Sequence, residues 1–504
     1  MAIAAQASRR SAVTFVKWVI LASIPLSLVQ LMLGADPVIL LLCIATEAVC
    51  LAPILLYGLE RTVGVLLLYV WLTFSFSSLA AKTVLLQPIE SNLFNPFLTF
   101  TAQLAGACCI SIAAFISYNI KFLHKNSITP VLDPKILSIL GFILYITGAV
   151  GFILCRFSGQ NSITSNIGNI LNPLIGYGIV CEISSTIVRT QRRKTFSIYS
   201  IFMLAGVLIL GVVGNSKSGI LLPGLIYILS ISAFGGRLRW TTVFAALISI
   251  ALFSEFLFPA VHIVRNFRDR LNPIEVAGAT IGTTFSLIVG DSQALAEKDA
   301  LNAEADASPD AYRNIYFGSR QVWLDRFVNT GAIDAVARRL SFDGPFLGLG
   351  PVVGDTLTGL LPQQLNPNKY TGVQFADGDV IAHAYGLEAR DGQGAATVPM
   401  PIELFAADGF FGIFIVGIPL ITLIFVEVNM LVFDFKNNPW GVCFIVFYGM
   451  SFYEATHDMY AFMAARQMPF DFLAISLAIM LATTIKHGLP TAGASRGARS
   501  SPAF

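Results

Sequence analysis

The chain is built from apolar runs of about twenty residues separated by short polar turns. Such runs lie near 12–33, 37–58, 62–81, 98–120, 136–155, 167–188, 196–214, 219–235, 241–261, 402–433, 439–456 and 470–485. A helix needs about 20 apolar residues to cross the hydrocarbon layer. Lipid offers no hydrogen-bond partners, and the runs lack the short alternation of barrel strands, so the pattern predicts a bundle of about twelve transmembrane helices. With the N-terminus inside and the spans alternating, seventeen Lys and Arg fall in inner segments. Only Lys82, Arg156, Lys217 and Arg466 fall in short outer loops. That asymmetry is what the positive-inside rule requires, and it places both termini in the cytoplasm. The first run is long enough to span and has no small-residue cleavage site, so it reads as a signal anchor.

One long polar segment interrupts the pattern. Residues 262–401 carry eleven basic and sixteen acidic residues and fall on the outer side. Long loops translocate largely regardless of charge, so this segment does not disturb the orientation. At about 140 residues it is too long for an idle connector and is expected to fold as a mostly helical extracytoplasmic cap. Ser308, Pro309 and Asp310 read as a helix start. Phe317, Val322, Leu324, Phe327 and Ile333 supply an apolar face beyond it, with Gly331 as a break. The organisation is thus a membrane bundle over 1–261 (spans one to nine), the cap over 262–401, spans ten to twelve over 402–485, and a disordered tail over 486–504. No internal repeat is visible, which counts against a transporter built from inverted halves.

Composition agrees with an all-α multi-pass membrane protein. Hydrophobic residues make up 55% of the 504, charged residues only 12%, and mean hydropathy is +0.72. A net charge of +2 gives no reason to expect a nucleic-acid partner. The seven cysteines lie in or beside apolar runs, with neither a disulfide framework nor a metal-ligand spacing.

Candidate chemistry gathers on the outer side. In "PAVHIVRNFRDRLNP", His262, Arg265 and Arg268 follow at helical spacing where span nine leaves the membrane. An Arg265–Asp269 pair with lipid contacts explains them structurally. A clamp on a lipid-linked phosphate explains them functionally, because guanidinium matches phosphate oxygens. "GNSKSG" at 214–219 places Lys217 in an outer turn, as a second point charge or as a snorkelling lysine. It is not a Walker sequence. In the cap, ten residues separate Arg320 from Gly331, and His383 and Gly394 repeat that spacing. His383, with an ordinary pKa of ~6.5, suits a general base or a surface histidine. Asp377, Asp379 and Glu388 are rival bases, and Arg390 is a further cation for substrate. Glu47, Glu182, Glu255, Glu454 and Asp458 are carboxylates within spans, with no evident chain of partners.

At 338–413 the order "ARRLSFDGPFLGLG", "LLPQQLNPNKY", "TVPMPIELFAADGFFGIFIVG" resembles bacterial O-antigen and exopolysaccharide polymerases of the Wzy type. "NSKSGILLPGLIYIL" is similar to their basic, glycine-containing turn entering a span. By this resemblance Arg339, Pro362, Lys369 and Glu403 match motif positions and Lys217 matches the basic turn. Gln363 and Tyr370 depart from the family pattern, which commonly has arginine after the proline and proline after the lysine. The detailed likeness covers about 100 residues; elsewhere only topology agrees.

The resemblance implies a fold like that of GT-C-type glycosyltransferases, in the bacterial inner membrane with 262–401 periplasmic. It implies an undecaprenyl-diphosphate-linked oligosaccharide as substrate, with a chain-length regulator and a flippase of the same pathway as partners. The expected reaction is transfer to an acceptor hydroxyl with loss of the lipid diphosphate. Arg265 and Arg268 would stabilise the leaving group, helped by Lys217, Arg339 and Lys369, with Arg320, Arg390 and Glu403 at the substrate and His383 as base. No metal and no cofactor is expected. The rival readings are an O-antigen ligase that transfers glycan to lipid A–core, a flippase or transporter, and a membrane scaffold.

Overall fold

The computed structural model describes residues 2–158, 163–214, 217–237, 241–242, 244, 248–249, 252–265, 272–307, 316–317, 328–342, 346–350, 354, 399–454 and 457–488. The first half contributes α1 (Ala2–Met32), α2 (Pro37–Tyr57), α3 (Thr62–Val84), α4 (Pro96–Asn119), α5 (Pro134–Phe157), α6 (Ile163–Leu171) and α7 (Leu174–Arg189). Next come α8 (Ile198–Val213), α9 (Lys217–Phe234) and α10 (Phe258–Arg265). Within 262–401 lie α11 (Pro273–Val289), α12 (Ser292–Ala307) and α13 (Thr330–Phe342). The chain closes with α14 (Met400–Gly412), α15 (Ile418–Leu431), α16 (Pro439–Glu454), α17 (His457–Phe462) and α18 (Met468–Gly488). Among the described residues the only strand-type pairing is an isolated bridge between Arg61 and Asp434.

Eight helices or joined helices are long and apolar enough to cross a membrane, and four shorter apolar helices accompany them. Eleven of the apolar runs each overlap one of these helices along most of their length, and the described part of the ninth run, 241–261, overlaps Glu255–Val264 only at its end. Helix starts follow local chemistry. The side chains of Asp36, Asn95 and Asp133 accept N–H groups of the first turns of α2, α4 and α5, each with proline in that turn. Close packing follows small residues. Gly141 of α5 and Gly178 of α7 face each other so tightly that a Cβ on either would lie 2.9 or 2.6 Å from the other's carbonyl oxygen.

The turns that join the helices gather at two opposite ends. At one end lie the segments around 58–62, 120–135, 189–197, 233–237, 432–438 and 484–488. Arg61 pairs with Asp434, Lys436 with Glu60 at 3.1 Å, and Lys486 with Asp133 at 2.5 Å. Asn437 N–H donates to the Ala233 carbonyl at 3.0 Å, and Ser127 N–H to that of Met430 at 3.0 Å. These are the segments whose basic residues set the predicted inner side, and they form one stitched face. The Lys486 ammonium holds the Asp133 carboxyl below its ordinary pKa.

Two buried carboxylates of the bundle, Glu47 and Glu182, are held by neutral donors, and the more exposed Glu255 by a lysine. Glu47 accepts from Ser23 Oγ at 2.8 Å and Trp71 Nε1 at 3.2 Å. Glu182 accepts from Ser138 at 2.7 Å and Ser197 at 2.6 Å. Glu255 pairs with Lys298 of α12 at 2.6 Å. The partners come from other helices, so each carboxylate locks helices together.

Gly331 lies in the first turn of α13, directly after the non-helical 328–329. One feature of 262–401 differs from expectation. Helix α11, not anticipated as a separate element, exposes Ile274, Ile281, Phe285, Ile288 and Val289 and packs beside α10 and α8. It then bends by 106° into polar α12. The helix start read at Ser308 lies outside the described residues, as do Val322, Leu324 and Phe327; Phe317 and Ile333 are buried.

Candidate functional site

The end opposite the basic face is closed by parts of 262–401 that dock onto α3 and α4. Lys82, at the last turn of α3, is fully buried. Its ammonium donates to Gln87 Oε1 at 2.9 Å, to Ser91 O at 2.9 Å and Oγ at 2.8 Å, and to the Tyr316 carbonyl. It also lies 4.2 Å from the centre of the Tyr316 ring. The Tyr316 hydroxyl donates to the Ile89 carbonyl at 2.9 Å, and burial pushes its pKa well above the ordinary value. Sequence reading placed Lys82 in a short outer loop. It is instead a buried anchor, its charge solvated by carbonyl, amide and hydroxyl oxygens.

Helix α13 docks more deeply. Asp334 accepts the N–H groups of Phe94 at 2.8 Å and Asn95 at 3.0 Å and the Thr99 hydroxyl at 2.9 Å. It thus caps α4 from a distant part of the chain, with negative charge at a helix N-terminus. Ser78 and Thr330 share a hydrogen bond at 2.7 Å, and Thr330 reaches Gln103 Oε1 at 3.4 Å. The Gln103 amide donates to the Phe74 carbonyl, inside a π turn at Leu72–Phe76 that interrupts α3. A π turn shifts the regular ladder and presents backbone carbonyls sideways. Similar turns occur at Phe253–Leu257, Ile413–Gly417 and Met463–Gln467, and Cys109 Sγ donates to the Ile413 carbonyl at 3.2 Å.

Arg339 sits in the last turn of α13, exposed, with Arg338 beside it 5.9 Å from the Phe94 ring. The buried half of α13, through Ala332, Ile333 and Val336, joins the core of the bundle. The polar C-terminal turn is thereby held at the rim.

Helix α14 packs against both α13 and α4. It carries Glu403 in its first turn, 1% exposed. Continuous helix stops at Asp408 and Gly409; Gly409 has φ 59° and ψ −145°. That conformation is nearly restricted to glycine. The break is covered by residues 346–348. Leu347 N–H donates to the Ala406 carbonyl at 3.4 Å and Gly348 N–H to the Ala407 carbonyl at 2.8 Å. A Cβ at Gly409 would meet the Phe346 ring at 2.8 Å. Irregular backbone inside an apolar bundle persists only where protein or a polar cavity satisfies it. The break therefore marks a built feature at the foot of the cap.

Of the residues singled out from sequence, the structure brings Arg339 and Glu403 onto helices that pack together. Lys217 opens α9, which packs on α8, and Arg265 ends α10, linked to α8 through α11. His262 is half-buried one turn before Arg265. Arg268, Arg320, Pro362, Lys369, Asp377, Asp379, His383, Glu388 and Arg390 lie outside the described residues. Among the described residues no group of three His, Cys, Asp or Glu side chains is placed to hold a metal ion.

Sequence reading missed Asp334, whose capping role needs the fold, and Asp471. Asp471, 1% exposed, accepts the hydroxyls of Tyr177 and Tyr448 at 2.5 Å each and the Gln467 amide at 3.3 Å. A carboxylate at the start of an apolar run, in "MPFDFLAISL", was the available signal. No family model, curated protein or solved structure matches the chain.

Proposed function

We propose that the protein joins undecaprenyl-diphosphate-linked oligosaccharide repeat units into O-antigen or exopolysaccharide, as a glycosyltransferase of the bacterial inner membrane. In this reading the chain crosses the membrane twelve times. The stitched basic face lies in the cytoplasm and the segment 262–401 in the periplasm. The observation that carries it is the packing of Arg339-bearing α13 against Glu403-bearing α14, at the end opposite the basic face and beside a broken helix. Arg339 and Glu403 stand apart in sequence, and both were singled out by the resemblance to Wzy-type polymerases.

The chemistry asked of such a site is modest in kind. An acceptor hydroxyl attacks the donor's anomeric carbon, the C–O bond to the lipid diphosphate breaks, and the hydroxyl proton passes to a base. The leaving diphosphate is already acidic, so stabilising its charge matters more than protonating it. Preorganised cations at a partly dry rim supply that term, and removing one such donor commonly lowers the rate by ~10²–10³. Arg339 at the rim takes this role together with Arg265, Arg268 and Lys217; Glu403 orients the acceptor sugar, with His383 as the base.

The test is to incubate purified protein with lipid-linked repeat units and to resolve the products by length. Stepwise elongation is expected, and the double variant Arg265→Ala/Arg268→Ala should abolish it while the protein stays in the membrane. Transfer only to a lipid A–core acceptor would instead identify a ligase. Movement of the lipid between leaflets without a new glycosidic bond would identify a flippase.

A further inference from the structure

A second site lies at the opposite end of the molecule. A cavity of about 650 Å³ opens between α2, α4 and the stitched basic face. Its apolar wall includes Leu55, Leu56 and Phe115, and its polar wall Arg61, Tyr118 and His124. Leu55 and Phe115 are 36% and 39% exposed, and neighbouring Ile112 and Ile116 are 40% and 42% exposed. The apolar wall is therefore continuous with the lipid-facing surface of α4, and the cavity is open to an acyl chain from the side.

The polar wall is built from rings. His124 stacks on Phe433 at 4.7 Å and 13°, and the Arg61 guanidinium lies over the other part of this assembly, 4.2 Å from the Phe433 ring centre. Tyr118 leans on both Tyr57 and His124. The Tyr57 hydroxyl is engaged by Ser117 at 2.7 Å and Asn429 at 2.9 Å, so it adds only ring edge. By contrast, no described residue hydrogen-bonds the Tyr118 hydroxyl. His124 Nε2 faces the Ser117 carbonyl at 3.4 Å, which puts the hydrogen on Nε2 and leaves Nδ1 as an acceptor. Burial, together with the positive charges of Arg61 and Lys121, holds His124 below its ordinary pKa, so the ring is neutral near pH 7.

Charge at the mouth favours an anion. Asp434 pairs with Arg61, and its other oxygen is taken by Asn126 at 3.0 Å; Glu60 is paired with Lys436. Exposed Lys121 and Lys125 flank His124 with no carboxylate paired to them among the described residues. Four cations (Arg61, Lys121, Lys125, Lys436) therefore face two carboxylates. Arginine keeps donors beyond the one given to Asp434, and guanidinium binds phosphate oxygens in a planar fork.

We infer that this cavity binds an anionic phospholipid from the leaflet on the basic side. Its phosphate would sit at Arg61 and Lys121, its headgroup hydroxyl between His124 Nδ1 and Tyr118, and one chain against Leu55 and Phe115. The site is separate from the rim of Arg339 and Glu403 and does not depend on the reaction proposed there.

Native mass spectrometry of the delipidated full chain tests it, with phosphatidylglycerol, phosphatidylcholine and inorganic phosphate as probes. Phosphatidylglycerol should be retained about tenfold more than phosphatidylcholine, and the double variant Lys121→Ala/His124→Ala should lose about tenfold of that retention. Leu55→Trp fills the apolar wall without touching the Arg61–Asp434 pair, and should displace the lipid while the protein keeps its thermal stability. Equal retention of the two lipids, or unchanged binding by Leu55→Trp, would overturn the proposal. Full competition by inorganic phosphate would also overturn it, since the site would then recognise a free anion.

Discussion

Asp334 and Asn95 are joined by a hydrogen bond of 3.0 Å from the Asn95 N–H to the Asp334 carboxylate. Asn95 is itself the residue whose side chain caps α4, at the Leu98 N–H. A carboxylate from the long polar segment thus completes the start of a membrane helix. The position of α13, and of Arg339 at its far end, is fixed through this contact.

Asp334→Ala should remove the acceptor for two N–H groups and the Thr99 hydroxyl. Stranding them costs about 1–3 kcal/mol. Thermal unfolding in detergent should show a lower midpoint, and Asp334→Asn should recover part of it. Equal midpoints for wild type and Asp334→Ala would show that α13 is held by its apolar face alone.

Arg339 is exposed, so its loss should spare folding. Arg339→Ala is expected to reach normal abundance while polymer yield falls about 10²–10³-fold. Arg338→Ala, which removes only the approach to the Phe94 ring, should change yield far less. Polymer length distributions from the two variants, compared at matched protein level, decide the matter.

Gly409→Ala should be poorly tolerated for two separable reasons. The backbone conformation disfavours any side chain by about 1–3 kcal/mol, and a Cβ would meet the Phe346 ring. Phe346→Ala in the same chain should relieve the second and not the first. Thermal midpoints of the two single variants and the double variant should therefore show partial rescue.

Asp133 has its pKa lowered from 3.8, first by its hydrogen bond with Lys486 and then by backbone donors. A depressed carboxyl stabilises the fold at pH values above its unfolded pKa and loses that contribution as pH falls through the folded value. Wild type should therefore be more stable than Asp133→Asn near pH 7, and the gap should close below about pH 3.8. A gap independent of pH would show that the ion pair contributes nothing through charge.

Much of the architecture was legible because apolar length is a strong local signal. Eight of the apolar runs coincide with helices long enough to span, and the described inner-segment residues Arg61, Lys436 and Lys486 are joined by ion pairs across one face. Pairings such as Arg61 with Asp434 were not legible, since nothing local says which loops meet. Helix α11 was legible and overlooked: Asn272, Pro273 and Glu275 form a capping box with proline in the first turn. The break at Gly409 was hidden inside an apolar run that otherwise reads as one continuous span. At the rim, a resemblance singled out Arg339 and Glu403, but Asp334 and Lys82 acquire their roles from contacts that join 82–99 to 316–334, far apart in sequence.

The pairing of Arg61 with Asp434 also bears on biogenesis. Arg61 leaves the ribosome long before Asp434, so during translation the neighbouring Glu60 is the nearest counter-charge to its guanidinium. The early helices can be inserted before this fastening forms, because Phe433 and Asp434 follow α15. Release of a polypeptide that ends before Phe433 would leave that cation without either the Asp434 carboxylate or the Phe433 ring.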